Sequence, residues 1–342
     1  MKKILTLIII LLIVLVGGYI FINGYIEKSL EAVDSSDSTQ IEIEIPSGSS
    51  TNAISEILYS KNLIKDAGIF RYHVKKLGHD SKLKAGKFIL SRNMNVDELI
   101  NALINKSSSD NTTNLTLIEG LIIQDAAKSI SEQLSLDYDK LLALMNNAEN
   151  FRADYKFLSD NKEIENLQGY LLPETYNVYK NSSEEDIVRY LLNQFEKYYE
   201  STIVPAMAST KLSFEEIITL ASIVEKEAVK KEERSTIAGV FLKRLEIDMM
   251  LQSCATVNYI LGEWKPRLTN EDISVISPYN TYINKGLPPT PINSPGKASI
   301  EACLYPEETE FLYFLAKGDG TSHFSKTYDE HLAAVDKYLN KK

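Results

Sequence analysis

From its amino end the chain carries Lys2 and Lys3 and then an uncharged apolar run over residues 4–22. At about 1.5 Å per residue, such a helix is long enough to cross a bilayer core of about 30 Å. A transmembrane anchor is therefore expected over 1–23. The lysines before it and Glu27, Glu31, Asp34 and Asp37 after it place the amino end in the cytoplasm and the remainder outside the membrane. A cleaved signal peptide is the competing reading. Against it, the run exceeds a usual signal core and no small-x-small cleavage site follows. Residues 24–40 are polar and rich in Ser and Asp, which predicts a flexible stalk.

Alternating Ile41, Ile43 and Ile45 then predict a strand, Pro46-Ser-Gly48 a turn, 51–59 and 67–77 two short helices, and 83–90 a returning strand. This is a small βααβ unit within 41–110. The polar stretch 107–113 marks a boundary, beyond which 111–342 reads as a larger mixed domain. There, the proline-rich 287–296 cannot be continuous helix or central strand and is expected to wrap a surface or line a cleft. Residues 311–316, Gly318-Asp-Gly320 and His323-Phe324 read as a hairpin, and Thr327-Tyr-Asp-Glu330 caps a closing helix reaching Leu339. The overall class is α+β.

One helix carries candidate chemistry. Ser213 followed three residues later by Glu216 can form a capping box, and Ile217, Leu220, Ala221, Val224 and Ala228 recur at helical spacing. Within Ala221-Ser-Ile-Val-Glu-Lys-Glu-Ala228, Lys226 points away from that stripe while Glu225 and Glu227 sit on its opposite margins. A carboxyl held against apolar neighbours resists ionisation and can serve as a general acid. The bland alternative is that Glu227 pairs with Lys231 one turn later and Glu225 salts the helix edge. Geometry does not choose between the two glutamates, because residues i and i+2 point nearly opposite ways.

Composition narrows the function classes. A formal net charge of -10 and a pI near 5.1 exclude the positive field that a nucleic-acid binder needs. The four histidines, at 73, 79, 323 and 331, have no ligand spacing, and there is no C-x-x-C, phosphate loop or HExxH. No metal or nucleotide cofactor is expected. Cys254 and Cys303 are read as free thiols, Cys254 as buried filler.

Several separated motifs agree in order and spacing with one family. They are Leu167-Gln-Gly-Tyr-Leu-Leu-Pro-Glu-Thr-Tyr176, the Ala-Ser-Ile-Val-Glu-Lys-Glu helix, Val240-Phe-Leu-Lys-Arg-Leu245, Leu251-Gln-Ser253 with Thr256-Val257, Ser277-Pro-Tyr-Asn-Thr-Tyr282, and Gly286-Leu-Pro-Pro289 running to Ile292 and Ser294-Pro-Gly296. Together they resemble the YceG-like family of endolytic murein transglycosylases, over nearly the whole chain. The resemblance implies a membrane-anchored lyase that cuts MurNAc-GlcNAc bonds within nascent peptidoglycan strands and leaves 1,6-anhydroMurNAc ends, working beside peptidoglycan synthases. The βααβ unit resembles a LysM-like glycan-binding module, with a small scaffold that only positions the second domain as the equal alternative. The family resemblance also selects Glu227, the second glutamate of its motif, as the catalytic acid, with Glu225 supporting or structural.

Gln252, Ser253 and Thr256 are candidates for orienting the acid or the sugar. Tyr279, Asn280, Thr281 and Tyr282 form a polar aromatic loop suited to sugar rings, and Tyr170 and Glu174 belong to the first motif. The chain departs from the family at Cys254, where similar sequences carry Asp, and more mildly at Gln168 and Glu174, which replace Glu and Asp. An inactive membrane-tethered glycan binder and a hydrolytic muramidase remain open alternatives.

Overall fold

The structure, a computed structural model, describes residues 17–18, 22–46, 48–105 and 112–339. The expected anchor at 1–23 and the polar break at 107–113 lie largely outside those residues. Among the described residues no helix is long and apolar enough to cross a membrane. Contacts divide the chain into two units, residues 1–113 with 177–182, and residues 114–176 with 183–342.

In the first unit, β1 (Ile41–Ile45) and β2 (Gly86–Leu90) pair antiparallel with Ile43 opposite Phe88. Between them run α1 (Thr51–Ser60) and α2 (Ala67–Lys76), whose first turns are capped by the Ser50 hydroxyl and the Asp66 carboxylate. The βααβ order is the expected one. Ile43, Ile45, Phe88 and Leu90 meet Ile54, Leu58, Phe70 and Val74 in one core, to which α3 (Val96–Asn105) adds Leu99 and Leu103.

The expected stalk is a correction. Residues 22–30 are helical and Leu30 packs against the core. The Tyr25 hydroxyl donates to Asp66 at 2.9 Å, and Arg92 pairs with Asp37 at 2.8 Å. The polar composition of 24–40 therefore caps and pairs with the βααβ unit instead of leaving a free tether.

Along the rest of the chain, β3 (Thr112–Thr116) pairs with β4 (Thr175–Tyr179). The second unit is mainly helical: α4 (Ile123–Leu134), α5 (Tyr138–Met145), α6 (Glu184–Tyr198), α7 (Phe214–Glu227), α8 (Arg234–Glu246), α9 (Cys254–Leu261), α10 (Lys297–Leu304) and α11 (Tyr328–Tyr338). Antiparallel β5 (Tyr313–Ala316) and β6 (Ser322–Ser325) form the expected hairpin, with Phe314 opposite Phe324.

Helix α7 is the spine of this unit. Both halves of the Ser213/Glu216 capping box are made, at 2.7 and 3.2 Å. Ile217, Ile218, Leu220, Ala221, Ile223 and Val224 are buried, and α8, α9 and α10 pack around them. The proline-rich loop is not a surface wrap: residues 291–296 are buried against α7, where the Ser222 hydroxyl accepts from the Ile292 N–H at 3.0 Å and the Ser222 carbonyl accepts from Asn293 at 2.7 Å. Gly169 explains why that approach needs a glycine. Its φ is +92°, and a Cβ there would stand 2.7 Å from Pro291 and 3.0 Å from Ile218.

Candidate active site

Glu225 and Glu227 occupy the last turn of α7 and leave it in different directions, as their spacing requires. They meet opposite kinds of environment. The Glu225 carboxylate accepts from Arg234 at 2.8 Å, from the Gly296 N–H at 2.9 Å and from the Ser299 hydroxyl at 2.7 Å. Both Glu225 and Arg234 have side chains only 6% exposed. Gly296 is the N-cap residue of α10 and supplies no side chain, so Glu225 does that work from another helix, with its charge at the positive end of the α10 dipole. These three bonds fix Glu225 as a structural residue that ties α7 to α8 and α10.

Glu227 is the last residue of α7, where the dipole's negative end opposes ionisation. Burial pushes its carboxyl above the ordinary range; the Ser253 hydroxyl, the Ala255 N–H and the charge of Arg244 pull the other way without cancelling the effect. The Ser253 hydroxyl donates to Oε1 at 2.5 Å. The carboxyl is thus both proton-retaining and oriented, which is what a general acid requires. Lys231 is not its partner, so the simple helix-surface pairing is set aside.

The loop before α9 is arranged around this contact. Gln252 adopts φ +49°, a left-handed conformation uncommon for a side chain of its size, and this turns the chain so that Ser253 faces Glu227. The strain is held in place from several sides. The Gln252 N–H donates to the Thr281 carbonyl at 3.0 Å, the Ser253 N–H to the Thr281 hydroxyl at 3.0 Å, and the Thr256 hydroxyl to the Ser253 carbonyl at 2.8 Å. Thr256 and Thr281 hydroxyls lie 2.9 Å apart. Arg244 adds bonds to the Leu251 and Met250 carbonyls at 2.8 and 3.2 Å.

The structure therefore brings Glu227, Ser253, Thr256, Thr281 and the Gln252 backbone together, and sorts the other candidates by depth. Asn280 is wholly buried and donates to the Ile273 and Val275 carbonyls, so it and Thr281 shape the loop from behind instead of facing a sugar. The Tyr282 hydroxyl sits 3.1 Å from the Cys254 sulfur, and the field of Glu227 reaches both groups. The Tyr279 ring packs tilted against Tyr259, centroids 5.0 Å apart, and its hydroxyl bonds Thr290. Tyr170 is a correction: it lies 2% exposed among Phe157, Phe195 and Phe214, 5.7 Å from the Phe195 ring, where the aromatic core desolvates it. Glu174 pairs with Lys297 at 2.9 Å, on the α10 side with Glu225. Gln168 is buried and its side-chain amide oxygen accepts from the Ile123 N–H at 2.6 Å, capping α4.

Cys254 is another correction. It is exposed at the start of α9, beside the acid, while Cys303 is buried; both are free. The protein packed about the Cys254 sulfur holds its thiol above the ordinary range, with the Tyr282 hydroxyl pulling the other way. Sequence reasoning passed over Arg244, which lies within the Val240–Leu245 motif, and Arg234, nine residues beyond Glu225.

Comparison with known proteins gives a consistent picture. A description of the YceG-like family matches residues 43–337. The endolytic murein transglycosylase of Bacillus subtilis (strain 168) is 36% identical over 337 residues, covering 96% of this chain and 92% of that protein. The protein of the same name from Streptococcus pneumoniae (R6) is 30% identical over 372 residues, 99% of this chain and 65% of its own length. The crystal structure of a yceG-like protein from Listeria monocytogenes superposes with a TM-score of 0.57 at 36% identity, covering 86% of this chain and 99% of that one.

Proposed function

The chain belongs to the YceG-like family, and from that membership we propose that it is an endolytic murein transglycosylase whose catalytic acid is Glu227. One observation carries the assignment of the acid. Ser253, the Ala255 N–H, Arg244, Cys254 and Tyr282 are the groups set against Glu227, with no second carboxylate among them in the described residues.

A glycosidase that uses water generally needs two carboxylates. A transglycosylase that recruits its nucleophile from the substrate needs one. Protonated Glu227 donates to the oxygen joining MurNAc C1 to GlcNAc, the C1–O bond breaks, and positive charge develops at C1. Glu227, now a carboxylate held by Ser253 and facing Arg244, takes the proton from the muramyl C6 hydroxyl. That oxygen closes on C1 and the acid is regenerated. Proton and electron pair are both returned, and no water is consumed.

Residues 1–23 anchor the enzyme in the membrane with its working part outside, in keeping with the lysine-led apolar run. The βααβ unit is LysM-like and holds glycan, and cleavage ends strand elongation beside peptidoglycan synthases. The full chain in detergent, given uncrosslinked strands, tests the reading. Wild type should cleave, and Glu227→Gln should bind without cleaving. Wild-type binding without cleavage would instead identify an inactive binder.

A further inference from the structure

From Tyr25 to β1 the chain is pinned to the βααβ unit. The apolar run ends at Ile22, and the first contact follows at Tyr25, whose hydroxyl donates to Asp66 at 2.9 Å. Contacts then recur. Ser29 is 6% exposed, Leu30 packs against the core, and the Lys65 ammonium donates to the Lys28 carbonyl at 3.1 Å and pairs with Glu31 at 3.4 Å. The Asp34 N–H donates to the Arg92 carbonyl at 3.2 Å, Asp37 pairs with Arg92, and the Asp37 carbonyl accepts from the Asn93 N–H at 2.9 Å. β1 begins at Ile41.

The distances this permits are short. The step from Ile22 to Tyr25 spans at most about 10 Å even when fully extended, whereas a free stalk over 24–40 would reach about 55 Å. Helix 22–30 also brings an aromatic face together. Tyr59 lies in the last turn of α1 and Asp66 caps α2, so that Tyr25, bonded to Asp66, is within electrostatic reach of Tyr59. Ile22, Tyr25 and Tyr59 are 58%, 52% and 54% exposed. Tyrosine joins an apolar ring to a polar hydroxyl and is enriched where hydrocarbon meets headgroups.

Resting on the membrane-anchor reading above, we propose that the βααβ unit is seated on the outer surface of the bilayer, with Tyr25 and Tyr59 in the headgroup layer. A lipid surface is the partner that fits, because the residues leading into this patch are those that would span it. A contact too weak to hold a free protein suffices once an anchor has localised it. The outer side of the sheet faces elsewhere: Lys87 and Glu42 pair there at 3.6 Å, 65% and 43% exposed, while Ile43 and Phe88 beside them turn inward to the core. Whatever this unit binds is thereby kept close to the membrane.

Trp264 is the chain's sole tryptophan, so in a Trp264→Phe background one introduced indole reports alone. The full chain is reconstituted in lipid vesicles with Ile22→Trp, Tyr59→Trp or Lys87→Trp, circular dichroism confirming that each keeps its fold. Lipids brominated high on the acyl chain should quench Ile22→Trp and Tyr59→Trp strongly, lipids brominated near the chain end should quench Tyr59→Trp less, and Lys87→Trp should keep its emission with both. Quenching of Ile22→Trp without Tyr59→Trp, or of Tyr59→Trp and Lys87→Trp alike, overturns the seat. No quenching of Ile22→Trp would overturn the anchor reading on which it rests.

Discussion

Ser253 stands as N-cap residue of α9, yet its hydroxyl makes no bond to that helix and is spent on Glu227. Ser253→Ala therefore removes the orienting bond without removing a helix cap. A hydrogen bond to an ionised group contributes about 1.5–3 kcal/mol, and 1.36 kcal/mol corresponds to about one pH unit. Because the lost donor stabilised the carboxylate, the proton is held to higher pH, so the alkaline limb of the kcat/KM profile should move up by about one to two pH units. The plateau should fall, since a weaker, freely rotating acid transfers its proton less readily. The assay is release of cleaved strand ends across pH, with thermal melting as a check that the fold is kept. A limb that stays in place, or moves toward acid, refutes the role given to Ser253 and weakens that of Glu227.

Glu225→Gln leaves buried Arg234 with only the half-exposed Glu119, 3.4 Å away, as counter-charge and should cost up to about 3 kcal/mol, seen as a drop in Tm, while the alkaline limb of whatever activity survives stays in place. Glu215, pushed up from 4.5 to about 7 by burial and by the neighbouring charge of Glu163, favours folding most below pH about 4.5 and loses that contribution as pH rises through about 7. Glu215→Gln should accordingly be more stable than wild type above that pH and gain nothing below pH about 4.5, as read by melting curves. A thiol reagent should label Cys254 alone in the native protein, slowly because its thiol is held protonated, and Cys303 only in denaturant. Labelled enzyme should no longer cleave strands.

Much of this was legible because it is local. The capping boxes, the βααβ alternation, the hairpin and the placing of both glutamates at the margins of α7 follow from spacings of two to four residues. What resisted reading depends on partners distant in sequence. Nothing local says that Glu225 will meet Gly296 and Ser299, some seventy residues on, or that Ser222 will draw residues 291–296 inward. Tyr170 and Asn280 carry polar groups suited to a sugar, yet Tyr170 is committed to an aromatic cluster and Asn280 to its own loop. Cys254 inverts that error, since a small apolar residue on a helix reads as core although here it faces the acid. Helix 22–30 went unread because the Ser and Asp residues that follow it suggest a tether, although one of them, Asp37, pairs with Arg92 of the folded unit.

The central claim is that one carboxyl completes the reaction with a nucleophile from the substrate itself. Cleavage of uncrosslinked strands in oxygen-18 water tests it most directly, with the new MurNAc ends weighed by mass spectrometry. The account predicts 1,6-anhydro ends that carry no label and that disappear with Glu227→Gln. Reducing ends bearing oxygen-18 would mean that water is the nucleophile, and would contradict it.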